Sequence, residues 1–125
     1  MTTYSPSLEL LLMVHGVDHL EASIEYYRVL GLTPTWWPDD ESVVLSTCRL
    51  KPPSILLTSD ASETLLGPGG LFAVDYLDAF FERNPGLDWL VKPIDRAIGR
   101  YAVIADRTGV PVRLLDRRGE VLGRL

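Results

Sequence analysis

Val17-Asp18-His19-Leu20-Glu21-Ala22 returns as Val74-Asp75-Tyr76-Leu77-Asp78-Ala79, 57 residues later in a chain of 125. Four of the six positions are identical, and Glu21 and Asp78 carry the same charge. Each copy follows an apolar run and opens an amphipathic stretch, so each reads as a strand running into a helix. An internal period of this kind sets the whole architecture. Two copies are too few for a solenoid and make a two-module domain.

Outward from the first copy, residues 8–17 are apolar at both parities, as suits a strand covered on both faces. Residues 20–30 place Leu20, Ile24, Tyr27 and Leu30 at helical spacing, with Glu21 and Glu25 early, Arg28 late and Gly31 as the stop. Strands follow at 32–37, 42–48 and 54–58, the first closed by a turn at Pro38-Asp39-Asp40. Residues 59–70 read as the link between modules, long enough to let one module pair with a second copy of the chain. The second module repeats the order: strand 71–75, helix 76–83, then strands near 87–93, 100–105 and 110–116, the last two joined at Asp106-Arg107-Thr108-Gly109. The fold class is α+β: two βαβββ modules, about 8–58 and 71–116, forming one domain over 1–125 whose sheets curl around a cleft. The helices cover one sheet face and the other lines the cleft.

The chain is 46% hydrophobic and 23% charged, an ordinary globular balance. A net charge of −5 argues against a nucleic-acid partner. The one cysteine, Cys48, has no internal partner and reads as a small buried residue in a reducing compartment. The apolar run 8–14 is too short to span a bilayer and lacks the flanks of a signal peptide. These features lead to the expectation of a cytoplasmic protein with neither a nucleic-acid nor a membrane partner.

The stretch His19-Leu-Glu-Ala-Ser-Ile-Glu-Tyr-Tyr-Arg-Val-Leu-Gly-Leu32 resembles the D-L-x-x-S-x-x-F-Y-x-x-x-L-G-L signature of the vicinal oxygen chelate superfamily, the glyoxalase, bleomycin-resistance and extradiol-dioxygenase group. Lys92-Pro93, Gly99-Arg100-Tyr101 and Asp106-Arg107-Thr108-Gly109 resemble its closing stretch. The resemblance covers nearly the whole chain. It implies paired βαβββ modules around a cleft and a homodimer, sometimes with exchanged modules. His19 and Tyr76 stand where the signature has Asp, and Arg107 where the turn has Pro.

Metal-dependent members of that superfamily place four ligands on the concave sheet. Carried over by motif, those positions are Leu12, Leu56, Gly69 and Arg113, two pairs again 57 apart. Leucine and glycine offer no donor side chain and a guanidinium repels a cation, so no metal and no cofactor is expected. His15, by alternation on the helix side of its strand, reads as a core histidine; His19 reads as a cap or surface residue. Glu9 falls on the helix side if its strand is regular. No Ser, Cys or Thr sits in a recognisable nucleophile context.

By alternation the cleft floor is Leu10, Leu12, Val14, Leu56, Leu71 and Ala73, with Pro111 and Leu115 from the last strand and one cation, Arg113, near the centre. Trp36 and Trp37 are neighbours in a strand and face opposite ways, and either one could reach the cleft; Trp89 and Tyr101 are similar candidates for stacking on a planar ligand. Arg113 either receives an anionic group or forms an internal ion pair with Asp75 or Glu9. The candidate ligand-binding set is Leu12, Val14, Trp36, Trp37, Leu56, Trp89, Tyr101 and Arg113. The favoured reading is a dimeric, metal-free protein that sequesters an apolar or aromatic, possibly anionic, small molecule, as bleomycin-resistance members do. The alternative is an enzyme, a glyoxalase-like lyase, isomerase, cyclase or dioxygenase that is metal-independent or uses unusual ligands. A regulatory or accessory domain is the third possibility.

Overall fold

The computed structural model describes residues 8–47 and 54–119. Cys48 lies outside the described residues. The elements run β1 (Glu9–Gly16), α1 (Leu20–Val29), β2 (Thr33–Asp39), β3 (Ser42–Ser46), β4 (Ile55–Thr58), α2 (Ala61–Leu66), β5 (Gly69–Val74), α3 (Leu77–Arg83), β6 (Asp88–Arg96), β7 (Gly99–Ala105) and β8 (Pro111–Asp116). The eight strands form one curled, unclosed sheet in the order β2-β3-β4-β1-β5-β8-β7-β6. Each module contributes a contiguous half, and the halves meet where β1 pairs antiparallel with β5 of the same chain. Pro38 and Asp39, read as turn, extend β2, and the Asp39 side chain accepts the Glu41 amide at the bend.

Local chemistry explains the helices. At the end of α1 the Gly31 amide donates to the Arg28 carbonyl and the Leu32 amide to that of Tyr27, with Gly31 at φ 92°. This is a glycine-capped terminus that a Cβ would strain. The start of α3 is capped from a distance. Tyr76 supplies no capping side chain, and the Leu77 amide donates instead to Asp116 Oδ2 of β8 at 3.0 Å. Burial pushes the Asp116 carboxyl up, but the Arg118 side chain and the Leu77 and Arg118 amides outweigh it and hold it at about 2. A carboxyl depressed on folding stabilises above its unfolded value and loses that contribution as pH falls through the folded one. Asp116 should therefore contribute about 2 kcal/mol above pH 4 that disappears between about pH 4 and pH 2. Comparing urea midpoints of the protein and its Asp116→Asn variant at pH 6 and pH 2 checks this: the gap should narrow at the lower pH.

The core has three parts. Ile24 of α1 packs on Val43, Leu45 and Leu57 of the first half-sheet. Leu77 and Phe80 of α3 pack on Val74, Ala102 and Leu114 of the second. On the concave face Leu12, Val14, Val44, Leu56, Leu71, Tyr101, Val103 and Leu115 form a cluster that spans both halves.

The β1–β5 seam departs from simple alternation. Leu10 opposes Phe72 and Leu12 opposes Leu71, so Leu11 is an extra residue, a bulge. The bulge turns Leu10 to the convex side beside Phe72, where it is 55% exposed, and gives Glu9 the same face as Ala73. Leu10 is thus not cleft floor, and Leu11, packed against the concave cluster, takes that role. His15 opposes Leu57 and lies on the helix face as alternation predicts. It is exposed, not a core residue, because α1 packs over β2 and β4 and α3 over β6, β7 and β8, which leaves the convex seam between them uncovered. No described helix is long and apolar enough to cross a membrane.

Candidate functional site

The concave face carries a cavity of about 210 Å³. Its floor is Val14 of β1, Leu56 of β4 and Leu71 of β5, with Tyr101 of β7 on one side. Asp39 at the end of β2 and Arg96, Ala97 and Ile98 at the β6–β7 turn bring the outermost strands of the sheet to the same opening. Ser42, Thr58, Asp60 and Glu63 complete the wall. The Ser42 hydroxyl donates to Thr58 at 2.9 Å, and the Thr58 hydroxyl also accepts the Asp60 amide. A second cavity of about 180 Å³ lies beside the first, between α2 and β6, and shares Glu63, Arg96 and Tyr101 with it.

Helix α2 was not foreseen: the stretch 59–70 read only as a link. A local signal was present. Asp60 three residues before Glu63, ahead of Leu65-Leu66, is a helix-start pattern, and Asp60 does accept the Ser62 amide at 2.9 Å. The helix carries the group that organises the site. Arg113, 1% exposed, donates from Nε to Glu63 Oε1 at 3.1 Å and from Nη2 to the Gly67 carbonyl at 2.7 Å. The Tyr101 hydroxyl donates to the same carboxylate at 2.7 Å. Its pKa is pushed far above the ordinary phenol value by burial first and by the Glu63 charge second, with Arg113 opposing. At neutral pH the Tyr101 hydroxyl therefore keeps its proton and donates it to Glu63. The Glu63 carboxylate is thus held by both Tyr101 and Arg113.

The ion-pair alternative for Arg113 thus holds with a different partner. Asp75 and Glu9, the two acids considered from sequence, both pair with Arg117. Among the other candidates, Val14, Leu56 and Tyr101 line the cavity and Leu12 lies in the concave cluster. Trp36 packs against that cluster, whereas Trp37 is 48% exposed, which settles which of the two faces the cleft. Trp89 is elsewhere. It packs edge-on against Phe80 and Phe81 of α3 and donates its Nε1–H to the Asn84 carbonyl at 2.9 Å, as a helix-side core residue does. Sequence reasoning missed Asp39, Ser42, Thr58, Asp60, Glu63 and Arg96, which stand at strand and helix ends where periodicity is silent.

The topology of two four-stranded halves joined at β1–β5 has counterparts among solved structures. A Legionella pneumophila structure described as an NAD-dependent benzaldehyde dehydrogenase superposes with a TM-score of 0.67 at 15% identity, covering 82% of this chain and 95% of that one. A glyoxalase/bleomycin resistance protein/dioxygenase superfamily member from Vibrio splendidus 12B01 gives 0.53 at 16% identity, over 88% and 97%. The chain has the vicinal oxygen chelate fold. A Mn(II)-bound glyoxalase from Novosphingobium aromaticivorans shares it at a TM-score of 0.57 and 15% identity, the chain spanning 89% of itself but 41% of that protein. No protein-family model and no curated protein matches the sequence.

A metal of the kind many vicinal oxygen chelate proteins hold does not fit the residues at its four positions. Leu56 lies beside Val14, which opposes Gly69; Leu12 opposes Leu71, which opposes Arg113. The four positions therefore share the concave face of the four central strands, where ligands would converge. They offer two alkyl groups, a bare backbone and a guanidinium. Among the described residues no group of three or more His, Cys, Asp or Glu is placed to hold a metal ion.

Proposed function

We propose that this protein binds a small apolar or aromatic molecule in the concave cleft without a metal, and sequesters it. The observation that carries the reading is that Leu12, Leu56, Gly69 and Arg113 offer no metal-ligating side chain beneath a cavity floored by Val14, Leu56 and Leu71. An apolar pocket with a few placed polar groups suits capture of a small molecule. Sequestration protects by mass action, lowering the free concentration of a toxic compound such as an antibiotic without changing it. Trp36, packed against the concave cluster, supplies an aromatic face at its edge. Arg113 is already paired with Glu63, so the ligand's body need not be anionic. We also propose a cytoplasmic homodimer, in keeping with the single cysteine and with the exposed apolar stripe of Leu8, Leu10 and Met13.

Native mass spectrometry of the protein taken from its own host, with no metal added, tests this. The expected result is a dimer carrying an organic adduct that persists in EDTA. One metal per chain, removed by EDTA together with the adduct, overturns the metal-free reading.

A further inference from the structure

The second cavity, between α2 and β6, differs from the first in chemistry. Two of its residues, Leu66 and Val91, pack against the same concave cluster that floors the first, so both cavities lie on one face of the sheet. The other two residues that line it alone are Leu65 and Ser62, and the Ser62 hydroxyl is taken up, donating to Asp60 Oδ1 at 2.9 Å. What the cavity offers a guest is therefore hydrocarbon, whereas the first sets Asp39, Ser42, Thr58 and Asp60 around its apolar floor. Leu65 stands 89% exposed at its rim, on a helix that buries none of its residues. Covering such a leucine with an apolar group is favourable.

Three side chains, Glu63, Arg96 and Tyr101, line both cavities and form the partition between them. Two of the three are fixed, because the Glu63 carboxylate is held by the Tyr101 hydroxyl and by Arg113. Arg96 is not. Its side chain is exposed and, among the described residues, makes no hydrogen bond or ion pair. An exposed, unheld side chain changes rotamer on the nanosecond timescale or faster. The partition thus has one movable member, on the side where both cavities meet solvent.

Volume sets the size of the guest. An apolar cavity of about 150 Å³ holds one benzene molecule. At about 210 and 180 Å³, each cavity has room for one ring-sized group.

We infer that the α2–β6 cavity is a second subsite of the cleft and that the bound molecule has two lobes. One ring occupies the first cavity, a purely hydrocarbon group such as a phenyl or branched alkyl occupies the second, and a short linker passes Arg96. The inference rests on the binding reading above and narrows its ligand class.

Two probes that differ by one ring test it: N-methylbenzamide and N-benzylbenzamide, titrated into the whole protein. One readout is affinity. The other is the methyl resonances of Leu56, which lines only the first cavity, and of Val91, which lines only the second. N-benzylbenzamide should bind at least about tenfold tighter, as burial of an added ring allows, and a single molecule per chain should shift both sets of methyls. Val91→Trp, which fills the second cavity, should remove most of that advantage. Should that variant not fold, Leu65→Glu, at an exposed position of the same cavity, should remove it instead. A smaller advantage, one that survives in the variant, or a complex that shifts Leu56 and leaves Val91 unmoved overturns the inference and leaves the binding reading standing. If neither probe moves the Leu56 methyls, the binding reading falls as well.

Discussion

Replacing Glu63 by alanine should destabilise the protein by about 3–5 kcal/mol, the range for stranding one partner of a buried ion pair. Arg113 is 1% exposed and Glu63 18%, and no other described carboxylate forms an ion pair with the guanidinium. Removing Glu63 leaves a positive charge in an apolar cluster and deprives the Tyr101 hydroxyl of its acceptor. The effect should be strongly non-additive. Arg113→Met in the Glu63→Leu background should restore most of the loss, because a buried pair replaced whole by apolar groups is near neutral. Chemical denaturation of the two single variants and the double variant measures the coupling. A single-variant loss under 1 kcal/mol would show that water reaches the guanidinium and screens it.

Gly69→Ala should cost about 3 kcal/mol, the upper part of the range for overpacking. The added Cβ would lie 2.4 Å from the Pro111 carbonyl oxygen and 3.2 Å from Arg113 Nη1. The first obstacle is backbone in the next strand and cannot rotate away. β5 and β8 must separate locally, and the concave cluster opens with them. The melting temperature reports the loss, and hydrogen exchange of the Leu71 and Arg113 amides locates it. A variant as stable as the parent would mean that the Gly69 and Pro111 backbones have more room than their spacing indicates.

The architecture was legible because its signal repeats. Val17–Ala22 and Val74–Ala79 mark the same strand-to-helix junction, and apolar alternation between them fixed which strands exist. Face assignment failed where one residue was inserted: the bulge at Leu11 reversed Leu10 and Glu9, and nothing in an apolar run distinguishes a bulged strand from a straight one. His15 was assigned to the correct face, yet how far a helix reaches across a sheet depends on packing that periodicity does not encode. The site was half legible. Val14, Leu56 and Arg113 follow from parity and spacing, whereas Tyr101 was named only for its aromatic ring. Glu63 does not, because it arrives on a six-residue helix in a stretch with too few apolar residues to show a period. Trp89 was misplaced because aromatic character alone does not choose between a cleft and a helix-side core.

Among the described residues helix α2 stands only in the connection between the two halves. The two halves of the sheet are related by an approximate twofold axis, and a cleft built only from them would offer a guest two equivalent orientations. By laying Glu63 against one half alone, the connection breaks that symmetry. The duplicated frame thereby acquires a single polarity, and a lopsided guest has one way round to sit.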